Sequence, residues 1–131
     1  MLTTIDTHVF DVPPTVCGAG RAQWAQCLEM FTTRNAGRTV VIEANLRELG
    51  ALPAEVNASL SGVSYDRRDG AAQIMLGGEP TSRAHRTVIV RDVLAVHTLV
   101  AATGRDVALR FAVPDGQVLL TFLPAARTAP A

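Results

Sequence analysis

The chain contains no lysine. All 12 of its basic residues are arginine, and 12 acidic residues balance them to a formal net charge of zero. That balance removes the electrostatic footprint with which a nucleic-acid binder draws its partner. It also leaves little colloidal repulsion, which favours self-association. The arginine-only usage accompanies abundant Ala, Gly and Val and reads as codon bias rather than function. Aromatic residues make up only 5% of the chain, so the core has to be built from Val, Leu, Ile and Ala. Cysteine is scarce as well. Cys17 and Cys27 are the two present, too few for a disulfide framework, and cytoplasmic location is the expectation. No window reaches the about 20 apolar residues of a membrane span. The stretch Met1–His8 has neither a charged start nor an apolar run and does not read as a signal peptide. Asn57-Ala58-Ser59 fits a glycosylation sequon, which carries no weight without a secretion signal.

What is present suits one domain. A chain of 131 residues buries roughly two-thirds of its unfolded surface and can hold a core without metal or disulfides. Residues 1–20 form an irregular arm in which Val9, Phe10 and Val12 are a short extended apolar stretch stopped by Pro13-Pro14. Residues 21–34 carry an amphipathic helix: Trp24, Cys27, Leu28 and Phe31 recur at i, i+3, i+4 and i+7. Gly20 is its N-cap, and Asn35-Ala36-Gly37 its stop, with Arg34 favourable in the last turn.

From Arg38 the period changes to two. Val40, Ile42, Ala44 and Leu46 form one face of a strand that Gly50 and Pro53 end. Val56, Ala58 and Leu60 alternate as a second strand, and Val63 and Tyr65 continue it out of phase, which requires a bulge at Ser61-Gly62. Asp69-Gly70 signals a tight turn into Ala72, Ile74 and Leu76. Residues 86–90 and 93–100 read as two strands or one bent strand. Val93, Val96 and Val100 also fit a helical stripe, but β-branched density favours strand. The strongest local expectation is the last hairpin, Val107 to Val113 and Val118 to Phe122 around Pro114-Asp115-Gly116. The fold class is therefore α+β: one N-terminal amphipathic helix on a twisted or barrel-like antiparallel sheet of about six strands. The domain spans residues 21–123, and residues 124–131 form a disordered tail.

These segments in series carry a resemblance. Trp24 and Phe31 on the helix are followed by Asn35-Ala36-Gly37-Arg38, Val40-Val41-Ile42-Glu43 and Glu48-Leu49-Gly50. Next come Gly62-Val63-Ser64-Tyr65-Asp66, Ile74-Met75-Leu76-Gly77 and His85, then Asp106-Val107-Ala108-Leu109-Arg110 and the Gly116 hairpin. Over residues 21–123 the chain resembles a family of small bacterial proteins known only as a domain of unknown function. The resemblance implies a bacterial, intracellular, stand-alone domain and implies no activity.

Chemistry-bearing residues are sparse. His8, His85 and His97 share no metal-ligand spacing, so no metal and no cofactor are expected. Gly62-Val63-Ser64-Tyr65-Asp66 ends in Asp where a nucleophile elbow ends in Gly, and a hairpin follows where the elbow needs a helix. No catalytic residue is assigned. The one candidate functional cluster is Ser64, Tyr65, Asp66 and His85, which would matter only if the fold brings His85 alongside the other three. Cys27 reads as a core residue and Cys17 as a thiol in a loose segment. Gly18-Ala19-Gly20-Arg21 reads as a plain helix start. Glu43 shares a strand face with Asn45 and Arg47.

The expectation is a non-enzymatic binding or assembly module that forms a homo-oligomer, with Val9, Phe10 and Val12 as a candidate intersubunit arm. A second reading is a small-ligand binder or hydrolase-like enzyme with a pocket near Ser64, Asp66 and His85. A third is a weak Sm-like binder of single-stranded nucleic acid through Arg67, Arg68, Arg83 and Arg86, which the zero net charge disfavours. No membrane partner is expected.

Overall fold

The computed structural model describes residues 15–16, 20–47, 50–77 and 85–123. The arm Val9, Phe10 and Val12, together with His8, Cys17, Arg83 and the tail 124–131, lies outside the described residues. The elements follow the order β1 (Thr15–Val16), α1 (Arg21–Asn35), β2 (Thr39–Leu46), β3 (Gly50–Asp66), β4 (Ala71–Leu76), β5 (Arg86–Val90), β6 (Ala95–Val100), β7 (Asp106–Val113) and β8 (Gly116–Phe122).

Helix α1 forms where the periodicity places it. Trp24, Leu28, Phe31 and Asn35 are its buried stripe. Gly20 precedes it in extended conformation, and Gly37, at φ 93°, turns the chain into β2. Met30 stands off the stripe and is exposed. Cys27 packs at the margin of the core, half-buried, and is disulfide-bonded, its partner lying outside the described residues. This corrects the expectation of a plain core thiol: three residues on from Trp24, Cys27 sits on the flank of the stripe, where its sulfur can be reached. The cysteine count is then no argument for a reducing compartment. Among the described residues no helix is long and apolar enough to cross a membrane.

The strands form one antiparallel sheet in the order β1-β6-β7-β8-β2-β3-β4-β5. Among the described residues it does not close into a barrel, and β1 and β5 are its two edges. Seven longer strands and the two-residue β1 replace the six expected. The difference arises in two places. Thr15 and Val16 pair with Thr98 and His97 of β6. Residues 86–100 split into β5 and β6 around Asp92, whose φ of 56° bends the chain. The helical alternative for 91–100 is thereby overturned.

Strand β3 departs most from expectation. Strand β2 stops at Leu46, before Gly50, as expected, but Gly50 and Pro53 themselves belong to β3, with Leu46 opposite Gly50 and Glu43 opposite Pro53. The ladder tolerates the proline because its register slips between Ile42 and Glu43, and a slipped register does not require every N–H. Seventeen residues long, β3 serves two ladders. Its first part pairs with β2 as far as Ser59, and its second part pairs with β4 from Leu60 to Asp66. The bulge between Leu60 and Gly62 marks the change.

The core lies between α1 and the inner face of the sheet. Trp24, Leu28 and Phe31 meet Val40, Ile42, Val63, Tyr65, Ile74, Phe111 and Leu120. Trp24 stands edge-on to Tyr65 at 5.1 Å, and Phe31 stacks on Phe122 at 5.7 Å between ring centroids. The last hairpin folds as expected, Phe111 opposite Val118 and Val113 opposite Gly116. Gly116, at φ 147°, has no room for a side chain: a Cβ there would lie 2.1 Å from the Asn45 carbonyl oxygen.

Candidate functional site

The four-residue cluster suggested by the sequence does not assemble. Ser64, Tyr65 and Asp66 are consecutive on β3, so their side chains alternate between faces. Tyr65 points into the core, only 7% exposed, and Ser64 lies on the outer face in a row with Gln73 and Ile89. Asp66 caps the hairpin: its Oδ1 accepts from the Arg68 N–H at 2.9 Å and its carbonyl accepts from Gly70, which sits at φ 64°. The turn therefore spans Arg67–Gly70. His85 is exposed and precedes β5 at its other end. Because Ser64 aligns with Ile89 across β4, His85 is displaced from it by roughly 13 Å along the strands and about 10 Å across them. The same register separates Arg67 and Arg68 at the hairpin tip from Arg86, which pairs with Leu76.

Three other arrangements appear instead. The first is a polar node at the end of α1. Asp106 at the start of β7 is 4% exposed, and its carboxylate accepts from Arg34 Nε at 2.9 Å and Asn35 Nδ2 at 2.8 Å. Arg38 donates to the Asn35 side-chain oxygen at 2.8 Å and to the Asp106 carbonyl at 2.9 Å, and its guanidinium lies 3.9 Å from the Phe122 ring centroid. The hydrogen bond to Asp106 raises the Arg34 pKa, with burial working against it. Burial, then repulsion from Arg105, lowers that of Arg38. The carboxylate is fully engaged, so this node locks α1 to the sheet rather than presenting a reactive group.

The second arrangement is on the outer face of the sheet. His97, Arg110, Leu119 and Glu43 form one cross-strand row over β6, β7, β8 and β2. Arg110 Nε donates to Gln117 Oε1 at 2.7 Å, and its NH1 lies 3.5 Å from His97 Nδ1. Burial, then the neighbouring Arg110, lowers the His97 pKa. Glu43 is half-buried here, on the face it shares with Asn45.

The third is a groove of about 330 Å³ between α1 and the second part of β3, lined by Ala25, Glu29 and Thr32 on the helix and by Ser61 to Tyr65 and Met75 on the strands. The groove exists because no strand pairs with β3 on that side once β2 has ended. Thr32 substitutes for the missing strand: its hydroxyl accepts from the Val63 N–H at 2.8 Å and donates to the Val63 carbonyl at 3.1 Å. Ser64 and Tyr65 belong to this groove; Asp66 and His85 do not.

Sequence reasoning missed the helix flank Ala25, Glu29 and Thr32, although their i, i+4, i+7 spacing marks a second face. It also missed the node, although Asn35, Arg38 and Asp106 all fall within the segments of the family-like series. Among the described residues no group of three or more His, Cys, Asp or Glu could hold a metal. Neither a curated protein nor a solved structure matches the chain. A family match covers residues 19–116, from the start of α1 to the last hairpin, and so takes in Asn35, Arg38, Asp106 and the groove. The chain belongs to the family of unknown function DUF5335.

Proposed function

We propose that this domain is a non-enzymatic binding module that assembles with itself through the open end of its sheet. The observation that carries this reading is the outer edge of β5, which no strand among the described residues pairs. Strand β5 pairs with β4 on one side, and the sheet order ends there. Beside this edge Ile89, on β5 itself, is 48% exposed. An unpaired strand edge that carries an exposed apolar side chain is a template for another strand. A two-fold axis would pair β5 with an antiparallel copy of itself, the commonest way to close such an edge. The zero net charge removes the repulsion that would oppose it.

The test is light scattering on the eluting protein over a wide concentration range. Self-assembly gives at least twice the chain mass of 13.9 kDa, and Ile89→Lys returns it to the single-chain mass. A wild-type protein that stays at the single-chain mass throughout removes the assembly reading.

A second reading, binding of a ligand beside Ser64 and Tyr65, is favoured by the groove under α1. It requires neither Asp66 nor His85 and has no nucleophile–base pair, so it is a binding site and not a hydrolase centre.

A further inference from the structure

The groove between α1 and β3 has a chemistry that selects its occupant. Glu29 is the one charged residue lining it. Among the described residues no ion pair or side-chain hydrogen bond engages the Glu29 carboxylate; its backbone carbonyl accepts from the Thr33 hydroxyl. The walls beside it are apolar: Ala25, the Thr32 methyl, Val63 and Met75. Gly62 lets these walls close in, since a Cβ there would meet Thr32 Cγ2 at 3.1 Å and Met75 Cε at 3.6 Å. A carboxylate at the rim of a narrow apolar slot suits a cation carried on an aliphatic stem and repels an anion. About 330 Å³ lies at the small end of ligand sites, which run from about 300 to 1,000 Å³. It holds one long side chain and the peptide unit bearing it.

The strand supplies the second half of the recognition. Backbone groups of an edge strand alternate between its two sides. Those of Leu60 are taken by Arg38 and Gly37, and those of Val63 by the Thr32 hydroxyl. The N–H and C=O of Tyr65 point to the same side as those of Val63, where β3 has no pairing strand. The Tyr65 hydroxyl is itself buried without a hydrogen-bond partner, so the residue has unused polar capacity at both its backbone and its ring.

We propose that this groove binds a lysine or arginine side chain of a partner polypeptide in extended conformation. The stem lies along Met75 and the Thr32 methyl, the cationic head meets Glu29, and the peptide backbone bonds to the N–H and C=O of Tyr65. The mode is a short strand addition with one specificity pocket. It is independent of the β5 edge.

The test uses end-capped pentapeptides of sequence Gly-Val-X-Val-Gly, with X as Lys, Arg, norleucine or Glu, titrated into the full chain at low salt and followed by amide shifts in NMR. The Lys and Arg peptides are expected to give saturable shifts at Gly62, Ser64 and Tyr65, with norleucine weaker and Glu weakest. Glu29→Gln, an exposed helix position that the fold does not need, weakens the Lys peptide on the order of threefold, as an exposed ion pair does, and leaves the norleucine peptide unchanged. The same titration on Ile89→Lys gives the same affinities, which separates this site from self-assembly. Equal affinity for all four peptides, shifts centred on β5, or no shifts at millimolar peptide overturns the proposal.

Discussion

Two of the places where, among the described residues, a strand of the sheet runs out of partners are treated differently. On the inner side of β3, beyond Ser59, the gap is covered by α1: Thr32 satisfies the Val63 backbone and the Asp106 node fixes the end of the helix. On the outer side of β5 nothing among the described residues covers the edge, and Ile89 stands beside it half exposed. The first gap lies within the fold, where an unsatisfied N–H or C=O costs the full penalty of lost hydration. The second faces water, which hydrates the backbone at little cost until another strand arrives. The first edge is closed at Val63 by the helix and left open only at Tyr65; the second is left open along β5.

Four substitutions measure that contrast. The largest effect is expected from Asp106→Ala, which frees the end of α1 from β7. It should lower unfolding stability in urea by about 2–4 kcal/mol, somewhat less than the loss of a fully buried ion pair because Arg34 is half exposed and can turn to water. Next is Thr32→Val, which keeps the shape and removes the hydroxyl that stands in for a strand. A loss of about 1–3 kcal/mol is expected from the stranded Val63 groups. Ile89→Lys on the β5 edge should change single-chain stability by less than about 0.5 kcal/mol while abolishing self-assembly. If it costs as much as Thr32→Val, the two edges are alike and the contrast fails.

The smallest effect belongs to His97 on the outer sheet face. Its pKa is lowered by burial and by Arg110, so the folded state resists protonation more than the unfolded chain does. The His97 contribution is complete above the unfolded pKa of about 6.5 and is lost as pH falls below it through the folded value. The melting temperature should therefore drop between pH 7.5 and pH 5, and His97→Gln should flatten that drop.

The helix and the last hairpin were legible because their signals are local: a 3.6-residue stripe through Trp24, Leu28 and Phe31, and strict alternation around Pro114-Asp115-Gly116. The bulge at Ser61-Gly62 was legible for the same reason, as a break in phase. The continuity of β3 through Pro53 was not, because the proline is tolerated only through a register slip against Ile42 and Glu43 on another strand. The site was less legible still. Asn35 and Asp106 meet across 71 positions, and Glu29 meets Ser64 only because β2 stops short of the end of β3. Adjacency in sequence suggested Ser64, Tyr65 and Asp66 as a unit, whereas strand alternation sends Tyr65 inward and Ser64 outward.

The bulge in β3 has an evolutionary corollary concerning chain length. It absorbs one surplus residue between Leu60 and Val63, both of which face the core. Losing Ser61 would give a straight strand that still keeps Leu60, Val63 and Tyr65 on one side. Gaining a residue there would also keep Val63 and Tyr65 on the core side but would leave two residues of β3 without a counterpart on β4. Relatives of this domain should therefore vary at this point by shortening and not by lengthening, and those that shorten should lose the bend that lets α1 lie against the strand.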